Sequence, residues 1–273
     1  MYGMKKYRIG MVAKLVGLSE EGLRLYERDG ILSARRKEQG NYRYYERLDI
    51  TALMRAKAYQ RCGFSLREIE RLINSSSLKY ILDSYAKQEG RLEEEINQKQ
   101  LALEHLQKNR QLAEQLPRTL WEIRRTEQPG MYRFEYMEGD ELLLRREEYD
   151  KLSRWSQLTP FAFHTPRVSW RDLEEGRVRY FSAMGLMEQD VDRLGAREVA
   201  ETGQYTPPCP CLYTVVQVDG ERDDQADYLK PLADYVRREG IRVTGDPVGR
   251  GFLSMNKKKG YIRYREIWLP VQE

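Results

Sequence analysis

"LSEEGLRLYERDGIL", residues 18–32, decides how the N-terminal third of this 273-residue chain is read. Ser19 stands where a side-chain oxygen caps a helix, and Glu20 and Glu21 fall in the first turn, where the macrodipole favours carboxylates. Leu23 and Tyr26 follow at i, i+3, and Asp29-Gly30 marks the end. Just upstream, "IGMVAKLVGL" sets Ile9, Val12, Ala13 and Val16 at helical spacing and closes on Gly17. Helix, tight turn, helix leaves the second helix free to enter a major groove.

The charge distribution agrees. Residues 1–75 hold 16 Lys and Arg against 9 Asp and Glu, whereas the whole chain carries only +4. A basic head on a mildly acidic body suits phosphate neutralisation with counterion release. Three cysteines argue against a disulfide framework, and two histidines leave little imidazole chemistry, so neither a metal nor a cofactor is expected. No apolar run approaches a membrane span, and "MYGMKKYRIG" lacks a signal core. A cytoplasmic protein without membrane partners is the expectation.

Working outward, "SARRKEQGNYRYYE" (33–46) combines basic residues, a Gly-Asn turn and alternating tyrosines, and predicts a small hairpin or wing. A helix is predicted over about 46–61, then another at "SLREIERLI", with Ser65 and Glu68 in capping-box register. Residues 76–119 differ in kind. Leu78, Leu82, Tyr85, Leu92, Ile96, Leu103 and Leu106 follow an alternating 3,4 spacing up to Pro117, which is read as the end of a long coiled-coil helix. Such a helix calls for a partner helix and hence a homodimer; the alternative is that it lies on its own C-terminal domain. Beyond residue 120, "MYRFEYM", "RVRYFSAMG", "CLYTVVQVDG" and "GYIRYREIWLPV" read as strands, and "DDQADYLKPLADYVRREG" as a helix with Leu229, Leu232, Tyr235 and Val236 inward. The fold class is therefore multidomain α and α+β, with domains at 1–75, 76–119 and 120–273.

"YRIGMVAKLVGLSEEGLRLYERDGIL", "RRKEQGNYRYY" and "RAKAYQRCGFSLREIERLI", in that order, resemble the DNA-binding domain of the MerR family. The resemblance implies a winged helix-turn-helix that binds double-stranded promoter DNA, followed by a dimerisation helix that pairs antiparallel with its twin. It puts Arg24 and Tyr26 on the Arg-x-Tyr positions near bases and phosphates, and Tyr42, Arg43 and Tyr45 on the wing. Lys14, Arg35 and Arg36 are further candidate phosphate contacts. Glu21 either accepts from a base edge or serves the helix dipole, and the two readings stay open. Metal-sensing relatives carry cysteines at the far end of the dimerisation helix. Residues 76–130 here contain none, and His105 stands alone in that helix.

The C-terminal half looks like a GyrI-like effector-binding domain of the multidrug-sensing, BmrR-type branch, on "YLKPLADYVRREGIRVTGDP" and the terminal "YREIWLPV". That implies a duplicated β-α-β-β core with a ligand pocket between its halves, and Glu266 matches the glutamate such pockets use. On physical grounds, a lone carboxylate among aromatics is costly to bury, and a weakly hydrated organic cation supplies the missing charge. Tyr132, Phe134, Tyr136, Phe163, Tyr180, Tyr213 and Trp268 are candidate walls, and alternation puts Glu266 and Trp268 on one face. Against this stands an ordinary sheet in which Glu266 pairs with Arg263 or Arg265 and the tyrosines are core.

The functional expectation is a ligand-responsive transcriptional regulator sensing lipophilic, cationic small molecules. By the resemblance, it acts through RNA polymerase by distorting an over-long promoter spacer, and controls an efflux or self operon. It is not expected to be an enzyme. The rivals are ligand hydrolysis by Glu266 with a nearby tyrosine, a thiol or metal sensor at Cys209 and Cys211, and an architectural DNA binder whose C-terminal domain ignores ligands. Cys62 reads as a small buried residue.

Overall fold

In the computed structural model, which describes residues 6–32, 35–36, 43–75, 77–219, 226–257 and 260–273, the local signals of the N-terminal segment translate directly into structure. The elements are β1 (Tyr7–Arg8), α1 (Ile9–Val16), α2 (Glu20–Arg28), β2 (Arg35–Arg36), β3 (Arg43–Tyr45), α3 (Arg47–Arg61), α4 (Leu66–Asn74) and the long α5 (Leu78–Thr119). Gly17 ends α1 at φ 64°, a left-handed conformation that glycine adopts without a Cβ clash. Ser19 caps α2, its Oγ accepting from the Gly22 amide at 3.0 Å. β3 lies between β1 and β2, with Tyr7 opposite Tyr45 and Arg36 opposite Arg43, so the expected wing is a strand pair. Val12, Val16, Leu23, Tyr26, Tyr45, Leu53, Ile69 and Leu72 form one core under these elements.

The capping box on α4 makes a pH prediction. Ser65 donates from its amide (2.9 Å) and its hydroxyl (2.8 Å) to Glu68, and Arg91 donates to the same carboxylate at 2.9 Å. These bonds hold the Glu68 carboxyl down at about 2, below its ordinary 4.5. A folded-state value below the unfolded one stabilises above pH 4.5, and that stability disappears as pH falls from about 4.5 to 2. Because the pair is partly solvated, about 1 kcal/mol is expected. Urea melts of Glu68→Gln should be less stable by that amount at pH 6 and should converge with wild type near pH 2.

Helix α5 departs from its sequence reading in two ways. It runs two residues past Pro117, the position read as its end. A proline in the final turn removes only its own N–H, and Leu120 still donates to the Leu116 carbonyl at 3.0 Å. The chain also divides within the helix, into Met1–Ile96 and Asn97–Glu273, rather than at its ends. The reason is a second apolar stripe. Leu101 is buried, and Leu112 and Leu116 pack into the C-terminal core, so residues 97–119 do lie on their own domain. The stripe that the sequence displays stays outside: Leu78, Leu82, Ile96, Leu103 and Leu106 are all more than half exposed.

The C-terminal unit continues with β4 (Arg124–Gln128), β5 (Met131–Glu138), β6 (Glu141–Leu142), α6 (Tyr149–Ser156), β7 (Phe163–Val168), α7 (Trp170–Glu174), β8 (Tyr180–Met187), α8 (Glu188–Val191) and α9 (Arg197–Ala200). Then come β9 (Gln204–Thr206), β10 (Cys209–Asp219), α10 (Lys230–Glu239), β11 (Val248–Lys257) and β12 (Gly260–Pro270). One sheet runs β4-β10-β12-β11-β7-β8-β5-β6, with β9 on β5. β5-α6-β7-β8 and β10-α10-β11-β12 thus repeat a β-α-β-β order, and the two halves meet where β7 pairs with β11. That repeat is not detectable in the residues themselves. α10 buries Leu232 and Val236, preceded by Leu229, against one sheet face together with Ile267 and Leu269. The other face carries Tyr213, Val215, Val248 and Trp268. Among the described residues no helix is long and apolar enough to cross a membrane.

Candidate functional site

In the N-terminal unit, α2 buries Leu23 and Tyr26 and turns Glu21, Arg24, Leu25 and Arg28 outward. Arg24 is half exposed, with Glu20 3.8 Å away at i, i+4. An exposed pair at that distance is weak, so the guanidinium is steadied without being consumed. The carboxylates at the start of α2 therefore do not block a phosphate-facing role for Arg24. Lys14 projects from α1 into solvent. Arg43 on β3 is about one-third exposed, and its Nε lies 3.0 Å from Glu27 Oε2.

Two of the tyrosines expected to touch DNA are core residues instead. Tyr26 is 3% exposed and donates its hydroxyl to Gln60 Oε1 at 2.7 Å. Tyr45 is fully buried and donates to Glu27, which also pairs with Arg43. With no hydroxyl left facing solvent, both act by fixing α2 and the wing strand, which in turn position Arg24 and Arg43. Burial pushes both phenols above their ordinary pKa, for Tyr45 with the Glu27 hydrogen bond adding to it. Tyr42 and the side chains of Arg35 and Arg36 lie outside the described residues.

In the C-terminal unit, Glu266 does not wait for a cation. It is 5% exposed on β12, directly across from Arg250 on β11, whose Nε donates to Oε2 at 2.6 Å. Tyr213 on β10 donates its hydroxyl to Oε1 at 3.0 Å. The lone-carboxylate argument for a cationic ligand therefore fails, and the pairing with Arg263 or Arg265 is replaced by Arg250. Arg265 points to the opposite sheet face, over the Tyr228 ring. Trp268 lies on the Glu266 face as alternation requires, its ring 5.9 Å from Tyr213. Phe163, from β7, lies 5.8 Å from the Arg250 guanidinium. Phe163, Tyr213, Glu266 and Trp268 are thus brought together. Tyr132, Phe134 and Tyr136 belong to a separate core with Trp155 and Leu186, and Tyr180 is buried beneath α10 on the far face.

Arg250 forms part of the wall of an open cleft of about 120 Å³. Leu101, Glu104, His105 and Lys108 of α5 line one side, with Phe161, Phe163 and Met187 among the other walls, and Gln189, Asp190 and Arg193 around α8 completing it. Burial, then the nearby Arg250, lowers the pKa of both His105 and Lys108, whereas burial raises that of Asp190. Arg193 grips Glu104 through both carboxylate oxygens, at 3.0 and 2.9 Å. Sequence reading noted His105 only as a solitary histidine and missed Lys108, Asp190 and Arg250. An i, i+3 pair of basic side chains opposite the apolar stripe was the only local signal.

Cys62, expected buried, is exposed at the end of α3. Cys209 and Cys211 lie two apart on β10. Burial raises both thiols, pushing Cys211 up to about 12. Such thiols are poor metal ligands and nucleophiles. No cluster of three His, Cys, Asp or Glu suited to a metal occurs among the described residues. With a thiol-specific disulfide reagent at pH 8, Cys62 should react promptly, and Cys209 and Cys211 only on unfolding. Prompt labelling of all three would contradict this assignment.

Comparison with known proteins bears on the N-terminal unit. Residues 7–76 match the family described as MerR HTH family regulatory protein. The mercuric resistance operon regulatory protein of Serratia marcescens is 39% identical over 70 residues, 26% of this chain and 49% of that protein. The chain thus spans about half the length of that relative. A solved MerR-family transcriptional regulator from Bacillus cereus is 21% identical, with 42% of this chain and 84% of that one covered at a TM-score of 0.37. A cryo-EM structure of an EcmrR–DNA complex covers 98% of this chain and 100% of its own at 15% identity and a TM-score of 0.33. Residues 7–76, which carry Lys14, Arg24 and Arg43, are a helix-turn-helix domain of the MerR family.

Proposed function

We propose that this chain is a homodimeric, ligand-responsive transcriptional regulator of double-stranded promoter DNA. Its MerR-type domain reads the operator through α2, with Arg24 and Arg43 holding phosphates or base edges. The exposed stripe of α5 pairs with a second copy. The C-terminal unit is a GyrI-like effector domain whose cleft binds a lipophilic small molecule without turning it over. The ligand biases the dimer between two states, and the bound promoter is bent and untwisted toward a spacing that RNA polymerase recognises. The regulated genes are an efflux pump or the regulator's own operon.

One observation carries this reading: α5, the helix that continues from the MerR-type domain, itself supplies a wall of the cleft, through Leu101, Glu104, His105 and Lys108. A ligand touching that wall makes different contacts in different positions of the helix, which is the requirement for shifting an equilibrium. The β-α-β-β repeat supports the GyrI-like assignment. The test is in vitro transcription from an operator selected out of random DNA, with RNA polymerase and a panel of aromatic compounds. Ligand-dependent transcription from a site with two half-sites is expected. Transcription indifferent to every compound that binds the cleft would overturn the regulatory reading.

A further inference from the structure

The outward face of α2 mixes side chains that DNA receives in different ways. Glu21, Arg24, Leu25 and Arg28 share that face at i, i+3, i+4 and i+7, all exposed. Packing accounts for neither Glu21 nor Leu25. Leu25 is 38% exposed and stands outside the core that takes Leu23 and Tyr26. Ser19 caps the helix and Glu20 is the carboxylate beside Arg24, whereas Glu21 makes no hydrogen bond or ion pair among the described residues.

Arg24 and Arg28 suit phosphates. The other two do not, since the backbone repels a carboxylate and a leucine offers it no donor. With α2 in the major groove, Glu21 and Leu25 therefore meet base edges. The apolar group there is the thymine C5-methyl, and the amino donors are cytosine N4 and adenine N6. Adenine N6 lies beside the N7 acceptor of its own ring, which repels a carboxylate; cytosine N4 adjoins the apolar C5 edge. Side chains at i, i+4 stand about 5–6 Å apart, within about two base-pair steps of roughly 3.4 Å.

We propose that Leu25 and Glu21 set the operator sequence, Leu25 packing on a thymine methyl and Glu21 accepting from the N4 amino group of a cytosine one or two base pairs away. This rests on the DNA-reading assignment above and names the bases for it. It also separates Glu21 from a carboxylate that serves the helix dipole alone, which would bring no base preference.

The experiment starts from an operator selected out of random DNA with the full-length chain. Each thymine is then replaced singly by deoxyuridine, which removes only the methyl group. One thymine per half-site should respond, with binding weakened about fourfold, the scale of one buried methyl group. In Leu25→Ala, which removes no core contact, the same replacement should leave affinity unchanged. Operators reselected with Glu21→Ala should keep that thymine and lose the preference for a cytosine within two base pairs of it. A selected operator without a methyl-sensitive thymine would overturn the Leu25 assignment. So would a methyl effect undiminished in Leu25→Ala, which would pass the thymine to another apolar side chain such as the exposed Met11 or Leu15 of α1. Cytosine preference unchanged in Glu21→Ala would overturn the Glu21 assignment. Failure to select any operator would bring down the DNA-reading assignment itself, a result distinct from the other three.

Discussion

Replacing Leu103 and Leu106 together by glutamate is expected to turn the proposed dimer into a monomer and to weaken binding to a two-half-site operator by about 10²–10⁴-fold. The magnitude is what is lost when two linked binding events become independent. The physical basis is the division of α5 into two faces. Leu101, Leu112 and Leu116 are used by the C-terminal unit, whereas Leu103 and Leu106 are 54% and 65% exposed. A stripe of exposed leucines continuing through Ile96, Leu82 and Leu78 has the spacing of a coiled-coil seam. Glutamate at two of those positions would put like charges into the seam without touching either unit's core. Sedimentation equilibrium at micromolar concentration gives the oligomeric state, and fluorescence anisotropy on labelled operator gives the affinity. A variant that remains dimeric would show that the seam lies elsewhere.

Arg250→Met is expected to destabilise the C-terminal unit by about 3–5 kcal/mol, because it strands the Glu266 carboxylate, 5% exposed, without its counter-charge. In the double variant Arg250→Met/Glu266→Gln neither member of the pair leaves a buried charge, and the glutamine carbonyl still accepts from Tyr213. Its stability should return to within about 1.5 kcal/mol of wild type, since replacing both members of a buried pair is often close to neutral. Urea unfolding followed by tryptophan fluorescence reads this directly, because Trp268 adjoins Tyr213. A loss below about 1 kcal/mol in the single variant would mean that Arg250 is not the counter-charge of Glu266.

What the sequence made legible was what is decided locally. Ser19, Gly17 and the Ser65–Glu68 box act within one helical turn, and each stands where its residue type predicts. The four aromatic strands and the inner face of α10 were readable for the same reason. Features that depend on distant pairing were not. Arg250 lies in "VGRGF", where two glycines erase the strand signal; a Cβ at Gly249 would lie 3.0 Å from the side chains of Ile267 and Pro166, tighter than an ordinary contact. Its pairing with Glu266 follows from the β11–β12 register, which no local pattern announces. Tyr26 and Tyr45 show a related limit: a tyrosine at a helix or strand position is equally suited to core or surface, and only assembly of the domain buries it. The second stripe of α5 was masked by His105 and Lys108, polar residues that share its face because that face forms a cleft wall.

If α2 and the wing strand read DNA, binding to a selected operator depends on salt and on the guanidinium groups of Arg24 and Arg43. Wild type, Arg24→Ala and Arg43→Ala would be titrated against the operator and against scrambled DNA over 50–200 mM salt, a range in which about six to ten phosphate contacts lower affinity by roughly 10³–10⁵. The predicted result is tighter binding to the operator. Loss of one phosphate contact reduces the salt slope by about 1, and loss of a base contact costs about 1–3 kcal/mol on the operator alone. Equal affinity for operator and scrambled DNA, or two variants indistinguishable from wild type in both slope and affinity, would contradict the account.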